Sequence, residues 1–178
     1  MYLISVYFDK STEKRIQSYI NDVAEKSGNT FMTGNNVPPH MTISAFETLK
    51  EDEIVEVLTN AMSNITRDKI EWVTVGTFPT VIFIQPVLIE YLHSISSVIY
   101  ESIANIPDTK VSKYYKRFNW LPHATIAKQL SVDEMRKAFD VLQNSFGIFE
   151  GEVVRIELAK KNPFRVIASW ELEVSQIY

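Results

Sequence analysis

The sequence predicts a mixed fold of helices and strands, arranged as two similar halves that pack as one unit. Three observations lead there. Segments of apolar alternation interleave with segments of helical spacing. The order strand, helix, strand, helix, strand occurs twice, with one further strand at the end. A short motif also recurs at the same place in each half, its two histidines 83 positions apart.

In Tyr2–Phe8 the residues Ile4, Val6 and Phe8 alternate with Leu3, Ser5 and Tyr7, the period of a half-buried strand. Ser11 is the expected N-cap of a helix with the stripe Ile16, Tyr19, Ile20 and Val23, and Gly28 its expected left-handed stop. A polar loop, 29–39, leads into an apolar strand at 40–46. A second helix follows from Thr48, with Ile54, Val55, Leu58 and Met62 inward. The acidic run Glu51-Asp52-Glu53 suits the positive end of its dipole. Residues 69–78 are rich in strand formers.

The order then repeats. A short buried strand is expected at 81–84. A helix is expected at 88–106, with Leu88, Leu92, Ile95, Val98, Ile99 and Ile103 inward. A long loop runs to Leu121, a strand starts at His123, and a helix starts at Ser131 with Met135, Ala138, Phe139, Leu142 and Phe146 inward. Strands at 152–159 and 165–174 close the chain. No Pro/Gly/Ser-rich linker intervenes, so one domain of two lobes, about 1–79 and about 80–178, is expected.

Composition narrows the chemistry. The chain has 178 residues, a net charge of −4, 46% hydrophobic residues, no Cys, 5 Gly and 3 His. Without Cys there is no thiol nucleophile, disulfide framework or Cys-ligated metal. The scattered glycines form neither a phosphate loop nor a dinucleotide fingerprint. No stretch approaches the ~20 apolar residues of a membrane helix, and Met1 to Lys10 lacks the basic flank of a secretory signal. A cytoplasmic protein with no membrane partner is expected, and no obligate protein partner is evident. The acidic balance argues against nonspecific binding to nucleic-acid backbones.

The repeated motif carries the chemistry. Pro39-His40-Met41-Thr42-Ile43 is followed four residues later by Thr48-Leu49-Lys50-Glu51. Pro122-His123-Ala124-Thr125-Ile126 is followed at the same distance by Ser131-Val132-Asp133-Glu134. Both copies read P-H-x-T-I-x4-[ST]-x-x-E, and the last part is a capping box. On a strand, His and the Thr two residues on share a face, while Met41, Ile43, Ala124 and Ile126 turn toward a core. A single His-x-Thr is most simply a structural pair on a half-buried strand; two equivalent copies point to function. Imidazole exchanges protons near neutrality, so one His can activate a hydroxyl or water while the other protonates a leaving oxygen. The two Thr hydroxyls can donate to non-bridging phosphate oxygens. Two His are too few for a usual zinc site, and no His-x-x-Glu spacing occurs. No metal and no cofactor are expected.

Paired P-H-x-T-I strands in two lobes resemble the two-histidine (2H) phosphoesterase superfamily, and within it the bacterial 2′-5′ RNA ligase-like and cyclic phosphodiesterase proteins. The resemblance covers most of the chain: the opening strand, both motifs, the central crossover at 76–86 and the last two strands. It implies an α+β fold of two duplicated half-domains, with two antiparallel sheets around a central cleft. It also implies metal-independent hydrolysis, or reversible formation, of 2′-linked phosphodiesters, including 2′,3′-cyclic phosphates of RNA ends or nucleotides. His40 and His123 carry over as catalytic, and Thr42 and Thr125 as phosphate-binding. Where many relatives have an Arg after the second motif, this sequence has Lys128, which strict alternation turns away from His123. A non-catalytic nucleotide- or RNA-binding module with the same fold is the alternative; intact His and Thr in both motifs favour the enzyme.

The loop before the second motif holds Lys110, Lys113, Lys116 and Arg117 among Tyr114, Tyr115, Phe118 and Trp120, with Asp108 as its only acidic residue. Such a mixture suits phosphate attraction with base stacking, or a loop whose aromatics simply pack under the sheet. Tyr115, Lys116 and Arg117 are candidate ligand-binding residues, as is Tyr7 on the more polar face of the opening strand. Trp120 reads as a core residue, and His93 as a partly exposed helix residue.

Overall fold

The computed structural model describes residues 1–174. The elements are β1 Tyr2–Phe8, α1 Lys10–Ser27, α2 Phe31–Gly34, β2 Met41–Glu47, α3 Glu51–Met62, β3 Asp68–Phe78 and β4 Val81–Pro86, followed by α4 Glu90–Ala104, β5 Lys110–Val111, β6 Ala124–Lys128, α5 Val132–Ser145, β7 Phe149–Lys160 and β8 Arg165–Glu171. The α+β class is the expected one. None of the described helices is long and apolar enough to cross a membrane.

Every strand pairing is antiparallel, apart from an isolated parallel bridge between Thr66 and Glu173. One half-sheet holds β2, β1, β7 and β8; the other holds β6, β4, β3 and the first residues of β7. The half-sheets join at both ends. β7 runs from one into the other, pairing residues 149–153 with β3 and residues 153–160 with β1. At the other end β2 meets β6 through the single pair Met41 and Ala124.

Helices cover the apolar face of each half-sheet. α1 packs on α5 over β6 and β7, while α3 packs on α4 beside β2 and β8. Each helix pair therefore takes one member from each sequence half. The halves expected near 1–79 and 80–178 are interleaved in space, because β7 of the second half pairs with β1 of the first. The buried stripe residues Ile16, Ile20, Ile54, Leu58, Leu92, Ile99 and Leu142 join the sheet residues Ile4, Val6, Met41, Ile84, Ala124 and Ile156 in one core.

Several local expectations shift. Helix α1 starts before Ser11, because Asp9 is the cap: its Oδ1 accepts from the Ser11 and Thr12 amides at 2.9 and 3.1 Å. The Ser131–Glu134 capping box forms, but its first-half counterpart does not. There Glu51 is drawn away to the Tyr2 hydroxyl and to Arg165, each at 2.9 Å, and Thr48 accepts instead from the Lys50 amide. Leu88, Val98 and Phe139, expected inward, are exposed. Leu88 precedes the helix, whose first residue is Glu90, so helical periodicity does not govern it.

Asp9 also joins the two halves. Its Oδ2 accepts from the Thr12 hydroxyl at 2.6 Å and from the Glu152 amide of β7 at 2.8 Å. Burial alone would raise this carboxyl, but the Ser11 and Thr12 hydroxyls and the Glu152 and Thr12 amides outweigh it and hold it well below the usual carboxylate range. A depressed acid stabilises the fold above its unfolded value and ceases to as pH falls. Asp9→Ala is expected to cost about 2 kcal/mol in urea unfolding at neutral pH. That penalty should persist down to about pH 4 and shrink as pH falls further, toward the depressed value. An equal penalty at neutral pH and at about pH 2 would exclude the carboxylate as its source.

Candidate active site

The site is built on the Met41–Ala124 pair. In antiparallel register around it, His40 falls beside Thr125 and Thr42 beside His123. Met41 and Ala124 are fully buried, so their neighbours on either side point to the opposite, concave face. His40, Thr42, His123 and Thr125 thus form a two-by-two patch around a local two-fold axis. All four side chains are partly accessible.

The prolines and the backbone before each strand orient the imidazoles. Pro39 and Pro122 are buried at the strand entrances. His40 Nδ1 lies 2.8 Å from the Pro38 carbonyl oxygen, and His123 Nδ1 lies 2.8 Å from the Leu121 carbonyl oxygen. A carbonyl can only accept, so each Nδ1 carries the proton and each neutral ring presents a bare Nε2. Burial pushes both imidazoles below their ordinary value. For His40, the Pro38 bond opposes the fall and the Lys128 and His123 charges deepen it. Thr42 Oγ1 lies 3.4 Å from Ser5 Oγ, and the Thr42 carbonyl accepts from Trp120 Nε1 at 2.9 Å.

The duplication extends to a defect in the strands. Ser5 pairs with Thr42 but Ile4 with Ser44, so Ile43 is an extra residue. Phe83 pairs with Thr125 but Ile82 with Ala127, so Ile126 is its counterpart. A bulge at the Ile of each motif buries two consecutive residues and then reverses the alternation. Lys128, which strict alternation turns away from the site, is thereby returned to the face of Thr125. Its ammonium lies 4.4 Å from the centre of the Phe31 ring, and burial lowers its pKa. Lys128 is in none of the ion pairs found among the described residues.

The walls differ. On the His40 side, Tyr7 is buried and its ring lies 6.2 Å from the His40 ring. Burial, together with the Glu157 carboxylate to which it hydrogen-bonds, pushes the Tyr7 hydroxyl far up. Arg155 lies over the same ring at 4.6 Å and pairs with Glu157 at 3.1 Å. On the His123 side the wall is aromatic, with Phe83 and Phe78 rings 5.0 and 5.3 Å from the imidazole. Register makes Glu157, paired with Ser5, the counterpart of Gly76, paired with Phe83.

Of the sequence candidates, the structure gathers His40, Thr42, His123, Thr125 and Tyr7. The basic loop is not gathered with them. Tyr115 is half-buried in a 3-10 turn and its hydroxyl is raised by burial; Lys116 is exposed. Arg117 turns to Glu101 of α4 at 3.5 Å, so Asp108 is not the loop's only acidic neighbour. Trp120 packs against the core, as expected. Arg155, Glu157 and Phe83 lie on the site without having been singled out in the sequence, because only strand pairing connects them to the motifs.

Residues 10–163 match the family model of the 2′-5′ RNA ligase superfamily, and the chain belongs to that superfamily. A comparison with curated proteins finds no match. Among solved structures, a phosphoesterase crystal structure superposes with a TM-score of 0.63 at 10% identity, over 97% of this chain and 98% of the other. E. coli LigT complexed with NADP+ superposes with a TM-score of 0.55 at 13% identity, over 97% and 96%. These likenesses show a shared fold.

The close contact at Gly76 is testable. A Cβ there would collide with Cε2 and Cζ of Phe83, the ring beside His123. Gly76→Ala is expected to cost about 1–3 kcal/mol through displacement of that ring. Chemical unfolding measures it, and an unchanged midpoint would show that the ring yields freely.

Proposed function

We propose that this member of the 2′-5′ RNA ligase superfamily is a phosphoesterase that needs no metal and acts on 2′-linked or 2′,3′-cyclic phosphodiesters of RNA ends or nucleotides. The observation that carries the reading is the patch around Met41 and Ala124: two imidazoles, each with Nδ1 tied to a carbonyl and Nε2 free, and two hydroxyls on one face. Superfamily membership supports the reaction class.

In hydrolysis of a cyclic ester, one Nε2 takes a proton from the attacking water. The other, protonated, gives its proton to the leaving ribose oxygen. The phosphorus–oxygen bond to water forms as that to the ribose oxygen breaks. Thr42 and Thr125 donate to the non-bridging oxygens, where negative charge builds, and the Lys128 ammonium adds positive potential from the His40 side. With a ribose 5′-hydroxyl in place of water, the same attack forms the bond from phosphorus to the 5′-oxygen as that to the 3′-oxygen breaks, which gives a 2′-5′ linkage; in the reverse cleavage the two histidines exchange roles.

His40→Ala and His123→Ala should each lower kcat about 10²- to 10⁴-fold on a 2′,3′-cyclic nucleotide or a 2′-5′ linked dinucleotide. Thr42→Ala and Thr125→Ala should each lower it about a hundredfold. Activity should survive chelator. Full activity in either histidine variant would sink the mechanism, and binding without turnover across a panel of 2′- and 3′-linked phosphodiesters would make the protein a binding module.

The pH profile is a separate check. Catalysis needs one neutral and one protonated imidazole, so kcat/KM should be bell-shaped. Burial lowers both groups, which moves the bell to the acid side of about 6.5. An optimum above about pH 7.5 would contradict that assignment.

A further inference from the structure

An apolar pocket of about 360 Å³ lies between the start of α4 and the segment that leads into the second motif. Its walls include Leu88, Ile89, His93, Phe118 and Trp120, with Glu90 at the rim. Trp120 also contacts the reaction site, since its indole donates to the Thr42 carbonyl. Trp120 thus ties the pocket to the strand that carries Thr42, outside the patch of histidines.

Phe118 marks this place. It adopts φ 65°, a region that disfavours a bulky side chain, and the residue is 76% exposed. Strain that displays an apolar ring to solvent points to a ligand. The ring lies 5.4 Å from that of His93, tilted by 35°, and the Arg117 guanidinium lies 5.1 Å from its centre. Leu88, 51% exposed, continues the apolar surface. Arg117 is shared with Glu101 of α4 at 3.5 Å, while Lys113 and Lys116 of the same loop are exposed and in none of the ion pairs found among the described residues. Aromatic platforms flanked by cations are the chemistry that holds single-stranded nucleic acid.

We propose that this pocket binds a nucleobase of a single-stranded oligonucleotide, at a position beyond the reacting phosphate, with the base against Phe118 and the backbone near Lys116. This rests on the phosphodiesterase reading and adds to it a preference for oligonucleotides over mononucleotides. Glu90 and His93 offer hydrogen bonds to base edges at the rim.

The experiment uses the whole protein and two substrates, a tetraribonucleotide ending in a 2′,3′-cyclic phosphate and the corresponding cyclic mononucleotide. Phe118→Ala should lower the ratio of their kcat/KM values about tenfold, and Phe118→Tyr should restore it. Fluorescence anisotropy of a labelled, unreactive tetraribonucleotide should show the same tenfold weakening. A ratio unchanged in Phe118→Ala together with undiminished binding would overturn the proposal, as would binding abolished by salt yet indifferent to Phe118. Absence of turnover with both substrates would instead remove the phosphodiesterase reading, while anisotropy would still decide whether Phe118 holds a base.

Discussion

One backbone pair, Met41 with Ala124, organises the molecule. It is the only register pair between β2 and β6, and it closes the cycle of strands that otherwise joins through β7. Because both residues are buried, the residues flanking them are forced onto the concave face, and those residues are the two histidines and two threonines. Core packing and the placement of these four side chains are thus one constraint. A shift of a single position in this register would turn the motifs toward the helices.

The frame around that pair is symmetric to a fine degree. Both motifs have a proline at the strand entrance, an Nδ1 tied to a carbonyl two residues back, and a bulge at the isoleucine. The side chains placed on it are not symmetric. Ser5 faces Phe83 across the axis, Glu157 faces Gly76, and Lys128 has Ala45 as its counterpart. A symmetric pair of acid–base groups serves either direction of proton transfer. The polar wall at His40 and the aromatic wall at His123 make the two ends of the patch chemically distinct.

Interleaving of the halves ties the site to the stability of the whole. Since α1 packs on α5 and α3 on α4, neither half can bury its apolar surface without the other. Asp9 reinforces this at one point, capping α1 while holding the Glu152 amide of β7. Arg155 and Glu157, further along the same strand, pass beside β1 and complete the wall near Tyr7.

Much of this was legible in the sequence by itself. Alternation, helical spacing and the Ser131 capping box are local properties of the chain, and so are the duplicated P-H-x-T-I segments and the face each His shares with its Thr. Where a partner far along the chain competes, local signals fail: Glu51 leaves its capping box for Tyr2 and Arg165, and Arg117 leaves the loop's own charge pattern for Glu101. Only the tertiary structure decided that the two motifs meet across one pair, that a bulge returns Lys128 to the site, and that β7 supplies Arg155 and Glu157. The reason is that cross-strand register is set by hydrogen bonding to a partner strand and by burial against distant helices, and neither is encoded in the spacing of neighbouring residues.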